Sequence, residues 1–382
     1  MIQNPFQRLL CIAAVSVSAL LSACGGASST VDPLRPDRVI AFGDGFNAVD
    51  ASGYGVNTVQ AVANTDLPDD TVAGRLAYNK YGITLTRVSG TAALDSTKKG
   101  FSYAHGLARI EDTVTKGVDN TVDGIEKQID NFLAGNRPGN KDLFIISAGS
   151  LDIYDAFTNN TTLAAPVTAL VAAIKRLTDA GAKYVLIVYP PNMARTPWAI
   201  RKTSADRNTV QDLSYDTGTT CSSFSCRTTI ALNTEYPATS SRQPILLADL
   251  MGYSNLITGT GGTTTVTFKG ASLTTTGTGS LNTFQTYGVA NPDLPACFNI
   301  TTSPTNALRT DAFTPPSASL TCATTTANAA GGVNSGTSGW ISSLAWDYKT
   351  SVFADNFYFT PFANRLYADY IFNVTMFRAG WR

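Results

Sequence analysis

The sequence is poor in the residues from which most metal and acid–base sites are built. It contains one histidine, His105, and six cysteines in 382 residues. No cluster of cysteine and histidine has the spacing of a zinc site, which argues against a zinc ion. Charged residues make up 15% of the chain, and 28 basic residues balance 28 acidic ones. A net charge of zero gives no reason to expect a nucleic-acid partner. Nothing in the sequence predicts a bound metal or a cofactor.

Long apolar runs are also scarce, and the N-terminal segment carries the one that stands out. Residues 9–23 follow Arg8 and are mostly apolar, but a membrane-spanning helix needs about 20 such residues. Residues 1–23 therefore have the pattern of a signal peptide. The run ends Leu-Ser-Ala before Cys24, which resembles the bacterial lipobox, whose cysteine becomes the first residue and is acylated. A secreted protein with a cysteine there by chance is the alternative.

This N-terminus predicts a lipid-anchored protein of the bacterial cell envelope, at the outer membrane. Lipid on Cys24 would hold the chain at a membrane, since each buried methylene contributes about 0.8 kcal/mol. Residues 24–36 are rich in Gly, Ser, Thr, Asp and Pro and predict a flexible tether. Residues 37–382 form the expected domain, and its 43% hydrophobic composition suffices for one large core.

Four cysteines remain after the signal peptide and the lipid site. An even number in an oxidising compartment predicts two disulfides, for which three pairings exist. We favour Cys221–Cys226 and Cys297–Cys322, because each pair closes a local loop. The alternative is that these cysteines are buried and unpaired.

Apolar runs alternate with helical patterns along the domain. Near-continuous apolar runs at 38–42, 142–148 and 183–189 are typical of strands buried on both faces, and 83–88 alternates as a strand does. Helical spacing of apolar residues predicts helices over 67–81, 122–134, 163–180 and 365–372. This alternation predicts an α/β fold with three α/β/α layers around a mostly parallel sheet. Such sheets bind ligands beyond the carboxyl ends of their strands, where residues 43–50, 149–154 and 190–197 fall.

The composition changes between about 200 and 345, where Thr, Gly and Ser dominate. We interpret 200–280 and 298–345 as insertions in one domain rather than as a separate small domain. Residues 258–279 predict a β-hairpin that includes a Thr-Val-Thr-Phe strand.

Several segments, in the right order over about 37–375, resemble the GDSL/SGNH hydrolases, in particular an outer-membrane esterase-like branch. Residues 39–46 (VIAFGDGF) resemble the strand and Gly-Asp-Ser-Leu turn of the first block, and 102–109 (SYAHGLAR) resemble the second block. Residues 149–153 (GSLDI) stand where the family has Gly-x-Asn-Asp, and 355–360 (DNFYFT) where it has Asp-x-x-His-Pro-Thr. The resemblance implies an SGNH-hydrolase-like fold and an ester-hydrolase ancestry.

The same resemblance implies that the catalytic residues are missing. Family members use a Ser nucleophile activated by a His, but Gly45 stands at the Ser position and Tyr358 at the His position. Asp355 remains without an imidazole to orient. Leu151 replaces the oxyanion-hole Asn, whose loss typically costs about 10²–10³ in rate, whereas Gly106 is retained. We expect a degenerate, inactive site.

Three polar residues near these positions are candidate relics. His105 could be a relocated base, although a histidine at the pocket rim that only packs or hydrogen-bonds is the better-supported interpretation. Asp44 and Asp152 are expected to cap helices or hold loops through backbone N–H groups. Ser147 and Ser150 could replace the missing serine, but neither lies in a Gly-x-Ser-x-Gly elbow.

Two function classes remain open. The first is a non-catalytic envelope lipoprotein that binds an acyl ester, a glycan or a protein through the former active-site cleft. The second is an ester hydrolase that works through nonstandard residues. The missing Ser, Asn and His positions favour the first, while the fold alone favours neither.

Overall fold

A computed structural model describes residues 33–381, apart from several gaps. The gaps are 51–52, 54, 57, 59, 62–70, 112–121, 201, 217–220, 238–243, 259–263, 269–270, 276–288, 290, 296, 300–322, 325–339, 343–350 and 356. Residues up to Leu34 and residues from Arg35 onward form two units, and the second contains the fold discussed below.

The secondary structure alternates between strands and helices. The strands are β1 Val39–Gly43, β2 Gln60–Ala61, β3 Leu85–Arg87, β4 Gly100–Ser102, β5 Leu143–Ser147, β6 Tyr184–Val188, β7 Ile245–Ala248, β8 Thr264–Phe268, β9 Ala271–Thr275, β10 Asn291–Pro295, β11 Cys297–Asn299, β12 Ala323–Thr324, β13 Trp340–Ser342 and β14 Ser351–Phe353. The α-helices are α1 Val72–Tyr81, α2 Ile125–Gly135, α3 Ser150–Asn159, α4 Ala164–Asp179, α5 Pro197–Ile200, α6 Ser204–Ser214, α7 Phe224–Glu235, α8 Met251–Thr258 and α9 Pro361–Tyr370.

A six-stranded parallel sheet forms the centre of the fold, in the order β3-β4-β1-β5-β6-β7. Every residue of β1 and β5 is buried, as their continuous apolar sequences predict for strands covered on both faces. Helices α2, α4 and α7 pack in one row, and α9 packs against α1. The predicted α/β fold with a mostly parallel sheet is therefore confirmed.

The order of the sheet reverses at β1. After β1 the chain passes through α1 to β3 and returns at β4 beside β1, and then crosses to β5 on the other side of β1. In parallel sheets the loops beyond such a reversal diverge and leave room for a site. The segments that follow β1, β4 and β5 contain six of the positions that the sequence singles out: Asp44, Gly45, His105, Gly106, Leu151 and Asp152.

Hydroxyl side chains set the beginnings of several helices. Thr71, Thr203, Ser223 and Thr360 each precede a helix, and each accepts a hydrogen bond from the backbone N–H three residues later. This is the preferred N-cap arrangement, because it satisfies a backbone donor that has no partner within the helix. In α9 a proline also occupies the first helical position, where its missing N–H costs nothing.

Residues 200–280 contribute more to the central fold than the sequence predicts. Helices α6, α7 and α8 lie there, and β7 is the edge strand of the central sheet. The interpretation of this whole range as an insertion is therefore corrected up to about residue 258. Strands β8 and β9 pair antiparallel as the expected hairpin. Most of the predicted insertion at 298–345 lies outside the described residues.

The C-terminal segment completes the layer around α1. The expected last helix begins earlier, at Pro361, and continues from α9 into a π-helical turn at Ile371–Met376. The Tyr367 ring stacks on Phe359 with centroids 4.3 Å apart, so the helix is tied to the segment after β14. Within the described residues, no helix has the length and apolar character that crossing a membrane requires.

Candidate functional site

The turn that follows β1 is fixed by its own backbone requirements. Gly43 has a φ of 127°, and a Cβ atom there would lie 2.2 Å from the carbonyl oxygen of Ser147. Only glycine fits this close approach between β1 and β5. The Gln128 side chain accepts from the Gly43 N–H at 2.7 Å and donates to its carbonyl at 3.0 Å. The amide of Gln128 therefore fixes the position from which the next two residues project.

Asp44 is a buried structural acid. Its Oδ1 accepts hydrogen bonds from the hydroxyl of Ser147 at 2.9 Å and from the backbone N–H of Phe46 at 3.1 Å. Burial raises the pKa of Asp44 to about 6, against the opposing effect of these hydrogen bonds. The bond to Phe46 matches the expected role of holding a loop through backbone N–H groups.

Tyr358 occupies the space between Gly45 and Gly106. Its hydroxyl donates a 2.6 Å hydrogen bond to the Gly106 carbonyl, and the Gly45 backbone N–H faces the same phenol oxygen. The side chain is 1% exposed and packs against Phe46 with ring centroids 5.1 Å apart. Burial, reinforced by the charges of Asp44 and Asp355, raises the pKa of Tyr358 well above its ordinary value. The phenol therefore stays protonated at neutral pH and cannot act as a general base.

Asp355 holds the loop that carries Tyr358. Its Oδ1 accepts hydrogen bonds from the backbone N–H groups of Phe357 and Tyr358, both at 2.7 Å. The Tyr358 backbone bonds the carboxylate, while its hydroxyl reaches Gly106 instead. Burial raises the pKa of Asp355 to about 6.

Leu151 and Asp152 lie in the first turn of α3, which follows β5. Gly149 precedes the helix with a φ of 105°, and the Leu151 side chain is 1% exposed. Asp152 accepts a 3.3 Å hydrogen bond from the Ile110 backbone N–H, in the loop after β4. Leucine offers no side-chain donor, so α3 contributes only apolar surface at position 151.

Contacts join four of the five positions that the resemblance singled out. Gly45, Gly106 and Tyr358 meet around one phenol oxygen, and Asp355 binds the backbone of Tyr358. Leu151 lies at the end of β5, the strand beside β1.

His105 is held by its backbone rather than by a catalytic partner. Its N–H donates to the Gly43 carbonyl at 3.0 Å. Burial, and then the charge of Arg87, lowers the pKa of the imidazole, while Asp123 opposes this shift. In the part of the chain that the structure describes, no hydrogen bond joins this ring to a serine. The Ser147 hydroxyl donates to Asp44, so it does not pair with the His105 imidazole.

A buried ion pair beside this centre escaped the sequence interpretation. Arg109 donates from Nε to Asp155 Oδ2 at 2.5 Å and from Nη2 to Oδ1 at 3.0 Å. Both side chains are less than 10% exposed. The sequence does show an arginine in the second block and an aspartate one turn after Asp152. Because the two residues lie far apart in the chain, the sequence does not show that they pair.

The structure joins Cys221 to Cys226, the local pairing that the sequence favours, with Cα atoms 5.5 Å apart. Together with Asp216, these two cysteines form a group of possible metal ligands among the described residues. Their disulfide leaves no thiolate that could bind a metal. Cys24, Cys322 and the Cys297 side chain lie outside the described residues, so the lipid site and the second disulfide stay predictions.

No protein-family model and no curated protein matches this chain. The case for a function therefore depends on the residues that meet at the ends of β1, β4 and β5. There the chain fills its own candidate reaction centre with a tyrosine side chain.

Proposed function

We propose that this protein is a lipid-anchored protein of the bacterial envelope, SGNH-hydrolase-like in fold, that has no hydrolase activity and acts in binding or as a structural component. The observation that carries the proposal is the hydrogen bond from Tyr358 to Gly106 beside the Gly45 N–H. In a hydrolase of this kind, a substrate oxygen would need the space that the phenol oxygen takes.

The chemistry of the centre supports the absence of catalysis. Acyl transfer needs a nucleophile, a base within hydrogen-bonding distance and donors aimed at the developing oxyanion. Gly45 offers a backbone N–H but no hydroxyl, and that N–H faces the phenol of Tyr358. One carboxylate oxygen of Asp355 already accepts hydrogen bonds from two backbone N–H groups of its own loop.

The filled centre also limits where on the domain a ligand could bind. Asp44, Asp355 and Tyr358 are each no more than 2% exposed, so the former cleft offers no open surface to an acyl ester or a glycan. A ligand or protein partner would bind elsewhere on the domain. A lipid on Cys24 and the tether to residue 36 would hold that surface at a membrane.

The alternative, an ester hydrolase with nonstandard residues, depends on Ser147 or Ser150. Ser147 is 2% exposed and donates to Asp44, a carboxyl rather than an imidazole. An aspartate could in principle accept the serine proton, which makes Ser147 the residue to test.

The test is labelling of the full exported chain with a fluorophosphonate probe, together with hydrolysis of p-nitrophenyl acetate and butyrate. We expect labelling and hydrolysis no greater than those of the heat-denatured protein, in a mixture where an added active serine esterase is labelled completely. The Ser147→Ala variant serves as the matched control. Stoichiometric labelling that Ser147→Ala abolishes would establish the hydrolase alternative and refute our proposal.

The envelope location is tested separately, by fractionation of cells that express the wild type or Cys24→Ser. We expect the wild type in the membrane fraction and Cys24→Ser outside it. An unchanged distribution in Cys24→Ser contradicts the lipid anchor but leaves the catalytic proposal intact.

A further inference from the structure

A groove opens to solvent between α4 and α7, two helices that pack side by side. Its volume is about 300 Å³. Helix α4 contributes Ala164, Val167 and Thr168 to its lining, and α7 contributes Arg227, Ile230 and Ala231. No residue of the filled centre lines the groove, so what binds there is independent of the absence of catalysis.

The spacing of these residues explains why the groove exists. Positions 164, 167 and 168 are separated by three and four residues, as are 227, 230 and 231, so each set lies on one face of its helix. Alanine at 164 and at 231 leaves room that a larger side chain would fill. Cys221 completes the wall, and its disulfide to Cys226 ties it to the first turn of α7. A covalent bond therefore holds this wall in place.

The groove presents apolar surface to water. Val167 is buried at its base, whereas the Ile230 side chain is 54% exposed. Among the described residues, Ile230 and Phe377 are the large hydrophobic side chains that are exposed. A single exposed isoleucine is ordinary, but one that borders an apolar groove extends a continuous apolar surface, and such surfaces mark binding sites. An apolar chain in the groove would remove this surface from water.

Arg227 gives the groove a positive charge without a counter-charge. Its Nε donates to the Ser222 carbonyl at 2.9 Å, and this side chain makes no other hydrogen bond or ion pair with a described residue. The carboxylate of Asp216, which lies beside this segment, instead accepts the backbone N–H groups of Ser222 and Ser223. No acidic side chain lines the groove in the described part of the chain. Both Nη nitrogens of Arg227 can therefore donate to an anion.

One cation beside an apolar groove matches a ligand that has one negative charge and an apolar chain. A guanidinium pairs with a carboxylate through two parallel hydrogen bonds. A phosphate monoester carries nearly two charges at neutral pH, which a single guanidinium does not balance. A cavity of about 150 Å³ holds benzene, so a groove of this size accommodates a ligand of about ten non-hydrogen atoms.

We propose that this groove binds the anion of a medium-chain fatty acid. The carboxylate accepts hydrogen bonds from the Nη nitrogens of Arg227. The alkyl chain lies along Val167 and Ile230, in the room that the two alanines leave.

Isothermal titration calorimetry tests the proposal, on the full exported chain with Cys24→Ser so that no detergent competes for the ligand. The probes are sodium octanoate, its neutral analogue 1-octanol and sodium acetate. For ten non-hydrogen atoms we expect octanoate to bind with a Kd below about 1 mM. 1-Octanol should bind at least about fivefold more weakly, because a charge-assisted hydrogen bond is roughly twice as strong as a neutral one. Acetate should bind at least about fiftyfold more weakly, since three buried methylenes contribute about fourfold each.

Three results overturn the proposal: no saturable binding of octanoate, equal affinity for octanoate and 1-octanol, or equal affinity for octanoate and acetate. A dimer that Ala231→Leu dissociates in sedimentation, together with no octanoate binding, would assign the groove to a second copy of the chain instead.

Variants locate the site. Arg227→Gln should weaken octanoate binding at least about fivefold and leave the affinity for 1-octanol unchanged, because only the charge is lost. Ala231→Leu should weaken both ligands at least about fivefold, because the new side chain fills the groove. Ala164→Leu makes the same change at an exposed position, and it keeps the test valid if Ala231→Leu fails to fold by circular dichroism.

The matched controls lie on α6, which contributes nothing to the lining. Arg207→Gln removes the same charge, and Ala205→Leu adds the same side chain at an exposed position. Both should bind octanoate as the wild type does. Wild-type affinity for octanoate in Arg227→Gln and in the folded leucine variants of the groove rejects the site.

Discussion

The Tyr358 hydroxyl donates a 2.6 Å hydrogen bond to the Gly106 carbonyl, across a separation of 252 residues in the chain. This bond joins the segment after β14 to the loop after β4, over the carboxyl end of β1. It satisfies a buried carbonyl that in an open cleft would face water or a ligand. The same contact therefore contributes to stability and closes the candidate reaction centre.

Replacing Tyr358 with Phe should destabilise the protein by about 1–3 kcal/mol, since the Gly106 carbonyl would lose its partner while it stays buried. The free energy of unfolding from urea denaturation measures this. Tyr78→Phe is the control, because the half-buried Tyr78 hydroxyl makes no hydrogen bond to a described residue. Equal stability of the two variants would show that the bond contributes nothing.

Asp44, Asp152 and Asp355 should make the fold less stable as the pH rises. Burial raises their pKa values to about 6, 7 and 6, whereas an unfolded aspartate titrates near about 3.9. Between these values the folded state binds more protons than the unfolded state, so the free energy of unfolding falls as pH rises from about 4 to about 7. We expect Asp152→Asn to flatten the decrease most between about pH 6 and 7, above the pKa values of Asp44 and Asp355, measured by urea denaturation at fixed pH.

Other groups titrate in the same pH range. The contribution of Asp152 is therefore isolated by comparing Asp152→Asn with Asp179→Asn. His105 has a lowered pKa from burial, and it acts in the opposite direction. Asp179→Asn removes the same charge from an exposed site and should keep the wild-type slope. A slope that Asp152→Asn leaves unchanged would mean that Asp152 is ionised throughout this range.

The central strands could be predicted from the sequence because burial on both faces makes them continuously apolar. The strands predicted at 142–148 and 183–189 correspond to β5 and β6, and each predicted end lies within one residue of the observed end. The edge strand β7 was missed, since its four residues follow a polar run at 239–243 and two of them are only half-buried. Helix α6 was missed for a related reason: it buries only Val210 and Ser214, so it shows little apolar periodicity.

The candidate site was only partly predictable. Resemblance pointed to Gly45, Gly106 and Tyr358 as members of one site, and the structure brings these three residues together. The hydroxyl-to-carbonyl bond and the Arg109–Asp155 pair depend on loop positions that no local pattern encodes. The length of the tyrosine side chain explains the filling in part, because its hydroxyl reaches the Gly106 carbonyl.

Breaking the buried Arg109–Asp155 pair should be strongly destabilising. In Asp155→Asn the guanidinium would stay buried and lose the carboxylate that accepts two of its hydrogen bonds, which typically costs about 3–5 kcal/mol. The Lys175–Asp179 pair is the matched control, because its side chains are 48% and 63% exposed and solvent screens them, so Asp179→Asn should leave stability nearly unchanged. Urea denaturation compares the two variants. Similar values for both would show that Arg109 finds other compensation when Asp155 is neutral.

Gly149 should be far less tolerant of a side chain than Gly181, although their backbones are alike. Their φ angles are 105° and 113°, so alanine strains both positions by about 1–3 kcal/mol. A Cβ at Gly149 would also lie 2.6 Å from the Phe224 ring, whereas nothing lies within 4 Å at Gly181.

Gly149→Ala should therefore lose about 1–3 kcal/mol more than Gly181→Ala, the cost of overpacking a buried ring. Urea denaturation of the two variants measures the difference directly. Because Gly149 precedes α3, relief of the crowding would shift the helix turn that carries Leu151 and Asp152. Equal losses in the two variants would mean that Phe224 moves aside freely and that α3 is not fixed by this contact.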